Sequence, residues 1–577
     1  MNPNALKAPA ALMLAATLGA CGQPKLSSLM NQTASAQAPS MNYQIGETSA
    51  IWVTSEAGDK VQRTNNISFD AAAPQSGDHV LSIHPDQVKQ TITGIGSSFT
   101  ESSAFVLAHL TPKQREQVMM DIYGESGANF SLTRTPIGAT DFSVQGRYSY
   151  ADVADDADLE HFSIGPDRDG FSRSKYSGIQ DESFDVLPMI QQALAIKQSQ
   201  ADKDLRIVAS AWTAPAWMKD IETWYIKPTA ENNHQGTGGI LKPEYEATYA
   251  NYIVKYLDAY HQAGVDIWGL TPVNEPHGNS GQWESMHFTP ETQRDFIKEH
   301  LGPTLKASAH GDINLLIYDQ NRDGFEAWAD TILGDAESAD YVYGSAVHWY
   351  SSTFKVHEDI LERVHQKFPK FDIIHTEGTI DDLGKPAPEG VLDPDGFTET
   401  GWFANDDFWW NQNATDWAYT ATWAPSPEDH PMYTPVHRYA RNIIVSLNHW
   451  MSGWIDWNVV LDANGGPNHV GNFCGAPIMI DTDSGEIYYT PVYHILKQFS
   501  QTIRPGDKAV QANKTLVNLD DDALHTSATL STSGLLSVQV LNTTKQAIAT
   551  KLKVGLQQAN LTVPANSLQT VQLQLPQ

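Results

Sequence analysis

At 577 residues the chain exceeds what one hydrophobic core can organise, so a large domain with at least one companion is implied. Apolar residues make up 41% and charged ones 18%, which excludes a disordered chain. With 37 basic against 68 acidic side chains the net charge is −31, which excludes nucleic acid or an anionic membrane as a partner held by charge.

In chain order, Lys7 precedes an apolar run over residues 8–20, too short for a bilayer span and suited to a signal-peptide core. The run ends Leu18-Gly19-Ala20-Cys21, which resembles the bacterial lipobox. That resemblance implies cleavage before Cys21, a lipid on its thiol and a flexible tether over 21–41. The expectation is an exported protein anchored to the bacterial cell envelope, touching membrane only through that lipid. Ordinary secretion, with cleavage near Ala34-Ser35-Ala36, is the alternative. Besides Cys21 the chain has only Cys474, so neither a disulfide framework nor a cysteine metal site can be built.

Residues 42–90 hold short alternating runs broken by Asp, Gly, Asn and Pro, and read as strands. From 91 to 505 eight short apolar runs recur, each with a helical segment before the next: 91–100, 129–138, 206–217, 267–276, 313–321, 341–350, 371–380 and 452–461. Thr111-Pro112 and Thr289-Pro290 carry helix-start chemistry. Eight such alternations predict an α/β fold, a (β/α)8 TIM barrel. A doubly wound open sheet is the competitor, disfavoured by the missing Gly-rich phosphate loop. After residue 506 the helical signal stops, and 535–542, 551–556 and 568–575 alternate apolar with polar. These predict a β-sandwich side domain over 506–577, completed by the strands of 42–90. The connection 381–432 is long and Trp-rich (Trp402, Trp409, Trp410, Trp417, Trp423), read either as a small core of its own or as part of a sugar cleft.

A barrel of this kind keeps its chemistry at the carboxyl ends of its strands. The fourth run ends Asn274-Glu275-Pro276 and the seventh delivers Glu377. Two carboxylates at strand tips are what cleavage of a glycosidic bond requires, one as proton donor and one as nucleophile or base. Around them the other tips supply Arg134, Asp141, Trp212, His348, Tyr350, Trp457 and Asn458. Glu101 and Glu284 also lie near tips, and are expected to support the site from outside it or to sit in solvent. His348 and His469 lack metal-ligand spacing and are expected to hydrogen-bond within the protein; no metal or cofactor is anticipated.

The motifs GIGSSFTESSA, TRTPIGATDFS, ASAWTAPAWMK, NEP, AVHWY, HTEG and DWNVVLDANGGPN, in this order, resemble glycoside hydrolase family 30, the family of lysosomal glucosylceramidase and microbial β-1,6-glucanases. The resemblance implies a barrel with a sandwich built from both termini, Glu275 as acid/base and Glu377 as nucleophile. It further implies sugar contacts at Asp141, Trp212, Asn274, Trp457 and Asn472. Tyr350 is counted with the substrate-binding set and, beside Arg134, as a hydrogen-bond donor that keeps Glu377 ionised; His348 is a supporting residue. A β-1,6-glucan is the favoured substrate, with glucosylceramide or a small β-glucoside next. A surface lipoprotein that binds glycan without cutting it is the reading from another class.

Overall fold

The computed structural model describes residues 43, 45–71, 73–232, 236–278, 281–380, 402–411, 431 and 433–576. Cys21, its tether, and Trp417 and Trp423 of the long connection lie outside the described residues.

Eight parallel strands form one sheet: β1 (Gly94–Ser98), β2 (Leu132–Ile137), β3 (Arg206–Ala211), β4 (Gly269–Thr271), β5 (Asn314–Asn321), β6 (Val342–His348), β7 (Asp372–Glu377) and β8 (Met451–Asn458). Their order is β1-β8-β7-β6-β5-β4-β3-β2, so from β2 onward each strand neighbours its sequence successor and β8 returns to β1. At the seam, the Phe99 N–H donates to the Arg134 carbonyl at 2.8 Å and the Ser131 N–H to the Ile95 carbonyl at 3.1 Å, making a nearly closed barrel. Glycine permits that approach: a Cβ on Gly96 would lie 1.9 Å from the Leu132 carbonyl oxygen. Inside, Leu132, Val208, Leu316, Ala346, Ile374 and Ile455 form one apolar layer, a residue from each of six strands. These short strands read as unbroken apolar runs because the barrel buries their other face under helices. Thr111 and Thr289 cap the helices Pro112–Tyr123 and Pro290–Phe296, each with a capping box and Pro in the first turn.

The side domain is a sheet of nine strands running, in spatial order, 557–563, 548–554, 80–91, 508–515, 524–530, 535–542, 567–574, 50–55 and 62–63. Leu81 and Ile83 near one end share a core with Val538, Val540 and Val571 toward the other, so the sheet doubles over itself as a sandwich. Helix Pro491–Thr502 joins it to the barrel. The Gln498 side chain accepts from Thr54 Oγ1 at 2.7 Å and donates to the Leu568 carbonyl at 3.1 Å and Thr570 Oγ1 at 3.0 Å. A three-stranded sheet (Val460–Asp462, Ile478–Asp481, Glu486–Tyr489) follows β8, an element no pattern in the sequence marks. Trp402, Trp409 and Trp410 are buried; the Trp402 Nε1 donates to the Ala463 carbonyl at 3.0 Å.

Candidate active site

The apolar layer inside the barrel fixes what comes next. Side chains alternate along a strand, so if Leu132, Val208, Ala346, Ile374 and Ile455 face inward, Arg134, Ser210, His348, Thr376 and Trp457 line the lumen nearer the mouth. Two carboxylates reach the same space by departing from that rule. Glu377 ends β7, where pairing with β6 shifts register between His375 and Glu377. Glu275 follows β4 at φ 47°, the left-handed region, where its N–H donates to the Asp319 carbonyl at 2.9 Å. A carboxylate oxygen of each lies within 4.8 Å of the other.

Arg134 is fully buried beside Glu377. Its Nη1 donates to Glu377 Oε2 at 2.5 Å, and its Nη2 to Asn274 Oδ1 and to Asp319 Oδ2, both at 2.7 Å. Trp212 and Trp457 stack on each other at 5.1 Å, and the guanidinium sits 4.8 Å and 5.6 Å from their ring centres. The Tyr350 hydroxyl donates to Glu377 Oε1 at 3.1 Å. Burial raises the Glu377 pKa, His348 and Arg134 pull it down, and Glu275 adds to the rise. With one oxygen ion-paired and the other receiving a hydroxyl, the carboxylate is the form this setting hydrogen-bonds.

Asp319, which no sequence pattern singles out, is the hub. Its oxygens accept from Arg134, from Ser210 Oγ at 2.7 Å, Thr271 Oγ1 at 2.8 Å, Thr376 Oγ1 at 2.6 Å and His348 Nε2 at 2.9 Å. Burial alone would raise its pKa, but Arg134 and these donors hold it far below the usual carboxylate range. On the far side of His348, Nδ1 meets Glu275 Oε1 at 3.1 Å. Both ring nitrogens face carboxylates, so both carry protons. Burial works against that charge, but Glu377, Asp319 and Glu275 outweigh it and push the pKa up to about 9. Glu275, His348 and Glu377 have the mutual distances of a metal-ligand set. The donor chemistry does not fit one: a doubly protonated imidazole has no lone pair for a cation, and Arg134 already neutralises Glu377.

Toward the rim, Asp141 accepts from Asn472 Nδ2 at 3.0 Å. Burial pushes the Asp141 carboxyl up to about 7, against the Asn472 hydrogen bond and with Glu377 adding to the rise. Asn274 gives its Oδ1 to Arg134, which leaves its amide N–H groups as the end facing outward from that pair. Glu101 and Glu284 do not lie in solvent. Glu101 is 3% exposed and accepts from the Val144 N–H at 2.6 Å, pinning the loop after β2; Glu284 is fully buried against His469 and Arg147. Their neighbours come from distant loops, which is why the sequence shows them as ordinary loop acids.

Residues 92–386 and 426–503 match the glycosyl hydrolase family 30 TIM-barrel domain, and 510–571 match the family 30 beta sandwich domain. The chain belongs to glycosyl hydrolase family 30. It is therefore an O-glycosyl hydrolase with a carbohydrate substrate. Among relatives of this family-30 enzyme, putative glucosylceramidase 1 of Caenorhabditis elegans is 30% identical over 552 residues, covering 93% of this chain and 91% of that protein. Endo-1,6-beta-D-glucanase BGN16.3 of Trichoderma harzianum is 24% identical over 486 residues, covering 84% of each. The solved structure of the endo-beta1,6-glucanase BT3312 shares the fold, with a TM-score of 0.68 at 24% identity over 91% of this chain and 99% of that one.

Proposed function

We propose that this family-30 hydrolase cleaves β-glucosidic bonds with retention of configuration, using Glu377 as nucleophile and Glu275 as acid/base, and that its substrate is a β-1,6-linked glucan. The observation that carries the mechanism is the approach of the two carboxylates to within 4.8 Å. Retaining enzymes hold their carboxyl groups about 5–5.5 Å apart, whereas inverting ones need about 6.5–9.5 Å to admit a water.

In the first half, Glu377 attacks the anomeric carbon while Glu275 gives its proton to the departing glycosidic oxygen. His348 donates to Glu275 Oε1, so Oε2 is the oxygen that carries this proton. Once Glu377 is esterified its charge is gone, and Glu275, now a carboxylate stabilised by His348, takes a proton from the water that attacks the same carbon, breaking the ester and releasing Glu377 as a carboxylate. Arg134 and Tyr350 keep Glu377 oriented; the Asn274 amide N–H meets the sugar 2-hydroxyl. Asp141 and Asn472 grip the hydroxyls of the far ring edge, and stacked Trp212 and Trp457 give the ring an apolar floor.

For a glucan speak the polar groups Arg147 and Tyr225 at the rim, joined at 2.6 Å, and the likeness to the Trichoderma enzyme. A second reading, glucosylceramide, is favoured by the higher identity to the Caenorhabditis relative. The deciding experiment is product analysis on β-1,6-glucan, other β-glucans, nitrophenyl β-glucoside and glucosylceramide, with proton NMR of the first sugar released. Release of β-configured sugar from β-1,6-glucan supports the proposal; a first product of α configuration overturns retention, and cleavage of glucosylceramide alone selects the second reading. Export with a lipid on Cys21 belongs to the same proposal and rests on the Leu18–Cys21 tetrapeptide behind its apolar run.

A further inference from the structure

Three loops meet beside the sugar end of the site, following β2, β4 and β8, and an ion cluster around the buried Glu284 joins them. Glu284, on the loop after β4, is fully buried and faces His469 Nε2 with both oxygens, at 3.1 Å and 3.2 Å. Arg147, from the loop after β2, brings its Nε to Glu284 Oε1 at 3.3 Å and donates to the Tyr225 hydroxyl at 2.6 Å. The same stretch is pinned from beneath: Lys219 Nζ donates to the carbonyls of Ser285, Gly238 and Trp224 at 2.9, 2.9 and 2.8 Å.

His469, on the loop after β8, is the connector. Its Nδ1 faces the Ser143 carbonyl at 2.9 Å, and its backbone N–H donates to the Asp141 carbonyl at 3.3 Å. One ring nitrogen faces a carbonyl and the other a carboxylate, so a neutral tautomer leaves one contact without its proton and the imidazolium satisfies both. Charged or titratable groups around the pair are Glu284, Arg147, Asp141 and Lys219. Burial disfavours the imidazolium, while Glu284, Ser143 and Asp141 raise the pKa above its ordinary value. Three residues on from His469, Asn472 holds the Asp141 carboxyl.

We propose that His469 and Glu284 are positioning residues: as an imidazolium–carboxylate pair they clasp the three loops and hold Asp141 and Asn472 in the arrangement that grips the hydroxyls of the sugar being cleaved. The inference rests on the β-glucoside reading above. Neither side chain of the clasp touches the reacting atoms; the paired imidazole holds the Ser143 carbonyl and so fixes the His469 backbone, whose N–H holds the Asp141 carbonyl.

The test uses the whole protein with Glu284→Gln, His469→Gln, the double variant and the conservative Glu284→Asp. It measures the Kd of a glucose-configured iminosugar by calorimetry, kcat and KM on nitrophenyl β-glucoside, and Tm. Each Gln variant is expected to weaken iminosugar binding about tenfold, the scale of one charge-assisted hydrogen bond, with kcat falling less than Kd rises. The double variant is no worse than the weaker single, because the pair acts as a unit, and Glu284→Asp recovers most of the affinity. Affinities within about twofold of wild type, additive losses, or losses that track Tm equally in Glu284→Gln and Glu284→Asp overturn the clasp. Should Glu284→Gln fail to fold, His469→Gln, at a half-buried position, decides alone. A wild-type protein that neither binds the iminosugar nor turns over the glucoside overturns the functional reading as well; wild-type binding with unmoved variants overturns the clasp alone.

Discussion

Asp319 is where single residues matter most. It faces Arg134, which bonds Glu377, and His348, which bonds Glu275, so one carboxylate sets the charge state beside both strand-tip acids. Replacing it by Asn leaves two buried cations short of a counter-charge, a class of change that costs about 3–5 kcal/mol. Asp319→Asn should therefore lower Tm clearly and also shift the alkaline limb of kcat/KM to lower pH, since His348 loses a partner; an unmoved limb would separate the hub from His348. The pH window has a definite sign. The pKa of His348 is raised from 6.5 to about 9, so its stabilisation is complete below 6.5 and lost as pH rises through about 9. That of Asp319 is depressed from 3.8, so its share is present above 3.8 and falls away as acid approaches the folded-state value. Thermal denaturation scanned from pH 3 to 10 should show a plateau between these limits. At the reacting atoms, Glu377→Gln should cut kcat more than about a thousandfold on every substrate. Glu275→Gln should slow glucan cleavage far more than nitrophenyl glucoside cleavage, whose leaving group needs no proton; equal losses would count against the acid role. Glu275 and Glu377 could be read from sequence because each closes an apolar run. Asp319 could not: it lies three residues past the inward-facing Leu316, out of phase, and left-handed backbone at Tyr318 and Asp319 with a register shift turns it inward.

Among the elements, the barrel strands were legible because short apolar runs alternating with capped helices leave few other folds. The polar-rich strands 508–515, 524–530 and 557–563 were not, since their burial depends on partners hundreds of residues away. Closure of the barrel followed from the count of eight, whereas its dependence on Gly96 lacking a side chain is marked by no apolar pattern. Gly96→Ala should force β1 and β2 apart and cost at least the ~1–3 kcal/mol of a tightly overpacked core site, with a fall in Tm and in kcat together because Arg134 sits on β2. Stability kept at wild-type level would mean that the seam is not needed. Arg134 itself was readable as a strand-tip cation, whereas its bond to Asn274 depends on how β4 ends and appears only in three dimensions.

For the molecule as a whole, Gln498 ties the last barrel helix to sandwich strands from both ends of the chain. Barrel and sandwich should therefore melt in a single calorimetric transition, and a chain cut at residue 505 should fail to give a soluble active barrel; two separated transitions would contradict this. At this scale too, Cys21→Ser should move the protein from the membrane fraction to the soluble one if the thiol carries a lipid. The strand 50–55 lies against 567–574, and 80–91 against 508–515 and 551–554. Synthesis thus makes the first strands of the sandwich long before their neighbours exist. The earliest part of the fold to be translated is among the last able to lock, so assembly is slow and the order of completion runs opposite to the order of manufacture.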